Sequence, residues 1–140
     1  MKFYQKETSL KPKERGYYVI TNEVLSLIPE IENISIGQLQ VFLKHTSASL
    51  TINENTDPNV LLDFENHFDS LVPEEMSYYL HNDENPDDLP AHLKSSILGS
   101  SVTIPITNGK LNMGKWQGIY FCEHRDYGGA RDMVITAFGN

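Results

Sequence analysis

Cysteine is almost absent from this 140-residue chain: the single Cys122 leaves no internal disulfide to form. Its flanks, "IYFCE", read as a strand that buries the thiol as a small hydrophobe. Basic residues are also few, 11 Lys and Arg against 19 Asp and Glu, for a net charge of −8. That balance lacks the clustered positive footprint a phosphate backbone requires, so nucleic acid is not an expected partner. No apolar run approaches about 18 residues, and the first residues hold no apolar block of roughly 7–15 residues typical of a secretory leader. A cytoplasmic protein without membrane contact is the expectation. The phosphate loop G-x-x-x-x-G-K-S/T, the hydrolase elbow G-x-S-x-G and the dinucleotide turn G-x-G-x-x-G are all missing, so nucleotide P-loops, serine hydrolase elbows and dinucleotide folds have no support. No repeat, linker or low-complexity block divides the sequence. A hydrophobic content of 39% suffices for one core, so a single domain over residues 1–140 is expected.

What is present is mostly strand-like. "FYQKETSL" and "RGYYVIT" carry the aromatic and β-branched residues of strands, with "KPKE" between them as the turn of a hairpin. "TNEVLSLIPEI" predicts a short helix capped by Thr21 or Asn22 and closed by Pro29. In "ISIGQLQVFLKHT", Leu39, Val41 and Leu43 alternate with Gln40, Phe42 and Lys44, the period of a strand with one face buried. "SLTINEN" alternates again, so His45 falls at a junction between strands. Asp57 followed by Pro58 starts a helix whose Val60, Leu61, Phe64, Phe68 and Leu71 share one face until Pro73, with His67 on the solvated side. After the acidic loop from His81 to Pro90, "DLPAHLKSSILG" predicts a second helix, with Asp87 or Asp88 as its cap and Gly99 at its end. "SVTIPI", "GIYFCEHR" and "RDMVITAFG" read as closing strands, with turns at "TNGK" and "DYGG". The sum is an α+β fold, mainly β: an antiparallel two-layer sandwich with two or three flanking helices.

Three of the five histidines could meet from separate elements. His45 ends a strand, His81 opens the acidic loop, and His92 shares a helical face with Ser95 and Ser96. Three imidazoles can hold a divalent ion such as Zn²⁺ with one position open, although their spacing matches no compact ligand motif, and independent satisfaction of each ring is the other reading. The helix start at Asp57, near Asn53, Asn55 and Thr56, could receive a phosphate, unless the Asp57 carboxylate itself caps those N–H groups. In "CEHRDYGGAR", Glu123 and His124 follow a strand, Gly128 and Gly129 permit a sharp turn, and Arg125 or Arg131 could fork onto phosphate. Trp116 and Gln117 could floor a pocket for a flat ring. Metal-assisted hydrolysis of a phosphate ester, with Glu123 or Glu54 as base, is one enzyme reading. A non-catalytic protein binding metal or a phosphometabolite is the reading from another class.

Taken together, "HTSASLTINEN-DP", "P-HLKSSILGSS", "IP---GKL--GKWQGIYFCEHR" and "GGAR" resemble the YjbQ family, also labelled secondary thiamine-phosphate synthase, over nearly the whole chain. "EHR" with "GGAR" is similar to the branch holding the family's enterobacterial member; many other members carry E-F-D-G-P-R there. The resemblance implies a homotrimer of β-sandwich domains with the polar motifs in a cleft. It implies site roles for His45, Thr46 and Ser47, for Asn53, Glu54, Asn55 and Asp57, for His81, His92 and Ser95, and for Trp116, Gln117 and Glu123. It also implies a reaction joining a pyrimidine pyrophosphate to a thiazole phosphate with release of pyrophosphate. On that reading a divalent ion, Zn²⁺ or Mg²⁺, held by His45, His81 and His92 would neutralise the leaving group. Arg131 would assist, and Trp116 would pack on a ring.

Overall fold

The computed structural model describes residues 1–140. Its elements are β1 (Lys2–Leu10), β2 (Gly16–Val19), α1 (Thr21–Leu27), a 3₁₀ turn (Pro29–Asn33), β3 (Ile36–Leu43), β4 (Ala48–Glu54), α2 (Pro58–Leu71), α3 (Asp88–Leu98), β5 (Ser101–Thr107), β6 (Lys110–Leu111), β7 (Gln117–Glu123) and β8 (Arg131–Gly139). They form a five-stranded sheet, order β1-β8-β3-β5-β6, and a three-stranded sheet, order β2-β7-β4. Every pairing is antiparallel. The expected mainly-β α+β sandwich is what the chain builds.

Alternation places the core. Leu39, Val41 and Leu43 of β3, Met133, Ile135 and Ala137 of β8, and Val102, Ile104 and Ile106 of β5 point from the large sheet into one cluster. Leu50, Ile119 and Phe121 enter the same cluster from the small sheet. β7 is buried on both faces, because α2 and α3 cover its other side with Leu61, Phe64, Phe68 and Leu98 against Tyr17, Tyr120 and Cys122. A strand enclosed in this way reads as a continuous apolar run, which "GIYFC" is. Cys122 is fully buried, and burial pushes its thiol up to about 12.

Two local expectations give way. β1 and β2 do not form a hairpin: β1 pairs with β8 in one sheet and β2 with β7 in the other. "KPKE" offers no residue suited to positive φ, as a tight hairpin demands. "TNGK" does, and Asn108 (φ 52°) with Gly109 (φ 76°) turns β5 back onto β6. Ile20 rather than Thr21 precedes α1, because Thr21 Oγ1 is used across the fold, accepting from the backbone N–H of Ile119 at 2.9 Å. α2 starts as expected, with Asp57 accepting from the Asn59 N–H at 2.9 Å and Pro58 in its first turn. Its apolar face is only half-buried, however, and Leu71 lies exposed.

Candidate functional site

Between β3 and β4 the chain leaves the large sheet for the small one, and the crossing is Lys44–Ser47. The start of β8 secures it: Lys44 N–H donates to the Asp132 carbonyl at 2.9 Å, and Asp132 N–H donates to His45 Nε2 at 2.8 Å. An acceptor at Nε2 puts the proton of a neutral imidazole on Nδ1. That atom lies 3.5 Å from Nη1 of Arg131.

Arg131 is buried and fixed from behind. Its Nε and Nη2 donate to the two oxygens of Glu123 at 2.8 and 2.6 Å, and Nη2 also donates to the Ser47 carbonyl at 3.2 Å. Glu123 is fully buried and also accepts from the Arg125 N–H at 3.2 Å. Gly128 permits this packing, since a Cβ there would stand 2.5 Å from Arg131 Nη2 and from Glu123 Oε1. Glu123, expected as a general base, is thus the anchor of an arginine.

α3 docks on the start of β4 through side chains that serve backbone carbonyls. Ser95 Oγ donates to the Ala48 carbonyl at 2.8 Å, and His92 Nδ1 donates to that of Thr46 at 2.8 Å. A ring tethered at Nδ1 presents Nε2 outward, the orientation that backbone carbonyls impose on metal-binding histidines. His92 Nε2 lies 3.3 Å from Oδ2 of Asp88, one helical turn earlier, and His81 Nε2 lies 2.6 Å from the same oxygen. These three ligand atoms stand within 4.8 Å of one another. Ligand atoms around a tetrahedral zinc ion at about 2.0–2.1 Å are roughly 3.4 Å apart, so the donor set fits after the His81–Asp88 contact opens slightly. Burial raises the affinity of Asp88 for its proton. The His81 hydrogen bond and the charges of His92 and Arg125 outweigh that and hold the carboxyl below its usual range.

The expected trio of histidines therefore divides. His81 and His92 converge with Asp88, and His45, which accepts the Asp132 N–H at Nε2, stands outside that group. Whereas His81 lines a separate cavity with Glu74, Tyr79 and Asn85, His45 and His92 line one open cleft of about 570 Å³ with Thr46, Ser95, Ser96, Gly99 and Ser100. Ser47 is buried beneath it and contributes its carbonyl.

The remaining predicted residues lie elsewhere. β4 pairs with β7 from Ala48–Glu123 at the histidine end to Glu54–Gln117 at the other, a separation of about 20 Å at the usual rise of a strand. At that far end the polar side chains brace loops. Glu54 Oε2 accepts from the N–H groups of Thr56 and Asp57, at 3.3 and 2.8 Å. Asn55 Nδ2 donates to the carbonyls of Lys115 and Gln117, at 3.3 and 3.1 Å. Gln117 Oε1 accepts from the Gly114 N–H at 2.7 Å, and Asn53 Oδ1 from that of Glu54 at 2.8 Å. Trp116 is exposed beside the Lys115 ammonium. Within one chain, Asn53, Glu54, Asn55, Asp57, Trp116 and Gln117 do not share the histidine cleft. Asp88 was missed as a site residue; the usable signal was "DLPAH", which puts an acid and a histidine at i and i+4 on one helical face.

A sequence model of the UPF0047 protein YjbQ-like family matches residues 6–140. The chain is 44% identical to the UPF0047 protein YjbQ of Escherichia coli O157:H7, over 98% of this chain and 99% of that relative. It is 40% identical to the UPF0047 protein YugU of Bacillus subtilis, over 84% and 87%. Among solved structures, an uncharacterised conserved protein of the yjbq/upf0047 family from Clostridium acetobutylicum superposes with a TM-score of 0.82 at 37% identity, covering 95% of this chain and 99% of that one. A YbjQ-like protein of unknown function from Sulfolobus solfataricus P2 shares the fold, with a TM-score of 0.88 at 23% identity over 99% of each chain. No helix is long and apolar enough to cross a membrane. With its matching polar motifs now placed, the chain belongs to the YjbQ-like UPF0047 family.

Proposed function

We propose that this protein is a metal-assisted enzyme acting on a phosphorylated small molecule, as a thiamine-phosphate synthase that joins a pyrimidine pyrophosphate to a thiazole phosphate. The observation that carries the reading is that one cleft is lined both by His92, which belongs to the candidate cation group with His81 and Asp88, and by His45, whose Nδ1 lies 3.5 Å from the buried Arg131 Nη1. A divalent ion bound there would supply Lewis-acid neutralisation of the departing pyrophosphate. Two imidazoles and a carboxylate suit zinc, whereas magnesium prefers oxygen ligands and water.

The chain's own contribution is electrostatic. His45 Nδ1–H and Arg131 Nη1 donate to phosphate oxygens, and the hydroxyls of Thr46 and Ser96 lie within the same cleft. Departure of pyrophosphate needs charge stabilisation and no general base. A metal-bound water can attack an ester without a protein base, but both carboxylates expected to assist such a hydrolysis are engaged, Glu123 by Arg131 and Glu54 by backbone N–H groups.

The test is elemental analysis of purified wild type and His92→Ala, followed by pyrophosphate release with both thiamine precursors. The expected result is metal in wild type, with metal and turnover lost together in the variant. Unchanged turnover in folded His92→Ala overturns the reading, and retention of substrate without turnover in wild type turns the protein into a binder. A homotrimer goes with this proposal. The outer face of the five-stranded sheet supports a partner surface, since it exposes Phe3, Ile36 and Phe42. Light scattering of the purified protein reads the subunit number.

A further inference from the structure

Arg125 is held by charge alone. Its Nη1 lies 3.4 Å from Oδ1 of Asp88 and its Nε 3.8 Å from Oδ1 of Asp87. Neither contact is a hydrogen bond, and Asp87 Oδ1 and Arg125 Nε are both buried without any hydrogen-bond partner. The backbone beneath is firm: Arg125 N–H donates to Glu123 Oε2 at 3.2 Å, and Asp126 N–H donates to Asp87 Oδ2 at 2.7 Å. A fixed main chain therefore carries a guanidinium whose donors are unspent, unlike Arg131, which is locked onto Glu123 through two donors.

The position of that guanidinium matters because of what Asp88 does with its other oxygen. Oδ2 faces His81 and His92, and Oδ1 faces Arg125. One carboxylate is thus shared between the candidate cation group and an arginine. With the histidines neutral, Asp87 and Asp88 against Arg125 leave a net charge of −1, which a divalent ion over-compensates. Cation uptake at Oδ2 draws charge away from Oδ1 and places a like charge close to Arg125. Five N–H donors then lack an acceptor, and a phosphate is the ligand whose oxygens match that fork.

We infer that Arg125 is a cation-responsive positioning residue: it neutralises Asp88 in the metal-free protein and, once a divalent ion takes Asp88, turns its guanidinium to the phosphate bound beside that ion. The inference rests on the proposed metal site and adds that cation and anion binding are coupled through one side chain. Coupling of this kind is reciprocal, so each ligand strengthens the other.

The experiment measures two affinities in wild type, Arg125→Gln and Arg125→Lys: Zn²⁺ for the metal-free protein, by chelator competition, and inorganic phosphate for the zinc-loaded protein, by calorimetry. Removing the competing charge in Arg125→Gln is expected to tighten zinc by about threefold or more and to weaken phosphate by about tenfold. Arg125→Lys, which keeps the charge without the fork, is expected to leave zinc near wild type and to weaken phosphate less. The opposite signs are diagnostic, because an arginine that merely supported the loop would weaken both ligands in either variant. Parallel losses, or no change in either affinity, overturn the coupling while leaving the metal site standing. A wild-type protein that fails to bind zinc removes the site itself, and the coupling with it. Arg125→Lys decides the matter if Arg125→Gln does not fold.

Discussion

The backbone N–H of Asp132 donates to Nε2 of His45 across 2.8 Å, and this one bond gives His45 a different chemistry from His92. His92 is tethered at the opposite nitrogen, by the Thr46 carbonyl. With both rings neutral, His45 therefore carries its proton on Nδ1 and His92 its lone pair on Nε2, although both line the same cleft.

It follows that His45→Ala and His92→Ala have different deficits. His92→Ala, like His81→Ala, is expected to weaken zinc by more than about 100-fold, beyond what loss of an outer-shell partner costs. His45→Ala is expected to leave zinc within about tenfold of wild type and to impair phosphate binding instead. Chelator competition and phosphate calorimetry on the same preparations distinguish the two, and equal loss of zinc in all three variants would show that His45 is a ligand after all.

Glu123 and Arg131 supply the second prediction. The pair is almost wholly out of water, with hydrogen bonds of 2.8 and 2.6 Å. Breaking such a pair leaves an uncompensated buried charge, which costs about 3–5 kcal/mol. Glu123→Gln is expected to lower stability by that order in urea denaturation. Gly128→Ala is expected to act on the same pair by crowding it, at about 1–3 kcal/mol. If Glu123→Gln lost turnover while unfolding like wild type, Glu123 would be a base and the structural assignment would fail.

The contrast between these residues and the sequence is instructive. Strands β3, β4, β7 and β8 were legible because burial of one or both faces writes itself into apolar spacing, as Leu39, Val41 and Leu43 demonstrate. The helix start at Asp57 was legible from local chemistry, whereas Asp87, at the start of α3, caps no N–H there and accepts from the Asp126 N–H instead. Pairing partners were not: nothing in "FYQKETSL" says that it lies beside the last strand rather than the next one. The candidate site was half legible for a related reason. That His81 and His92 could meet was open to the sequence, but spacing along the chain carries no sign of which nitrogen a backbone group will occupy, so the place of His45 outside their group was not. Glu54 and Gln117 could not be separated from the cleft, because the length of β4 that holds them away is invisible until its register is known.

The last prediction concerns His124, which sits behind the cleft with Nε2 2.7 Å from Ser49 Oγ and its ring against the edge of Tyr17. Burial is the main reason its pKa falls from 6.5 to about 3, and the positive charges of Lys94 and Arg131 add to it. The folded protein thus keeps this imidazole neutral under conditions where the unfolded chain protonates it. Stability then depends on pH in one direction: the contribution is complete above 6.5 and is lost as the pH falls from 6.5 toward about 3. The slope approaches about 1.4 kcal/mol per pH unit in the middle of that window. His124→Gln keeps a hydrogen-bonding group beside Ser49 and cannot titrate, so the difference between wild-type and variant stability is expected to shrink across the window and to be flat above it. Chemical denaturation at several pH values reads that difference directly, with other titrating groups cancelling between the two proteins. Parallel curves would mean that the folded protein accepts the proton as readily as the open chain, contrary to what a ring buried against Tyr17 predicts.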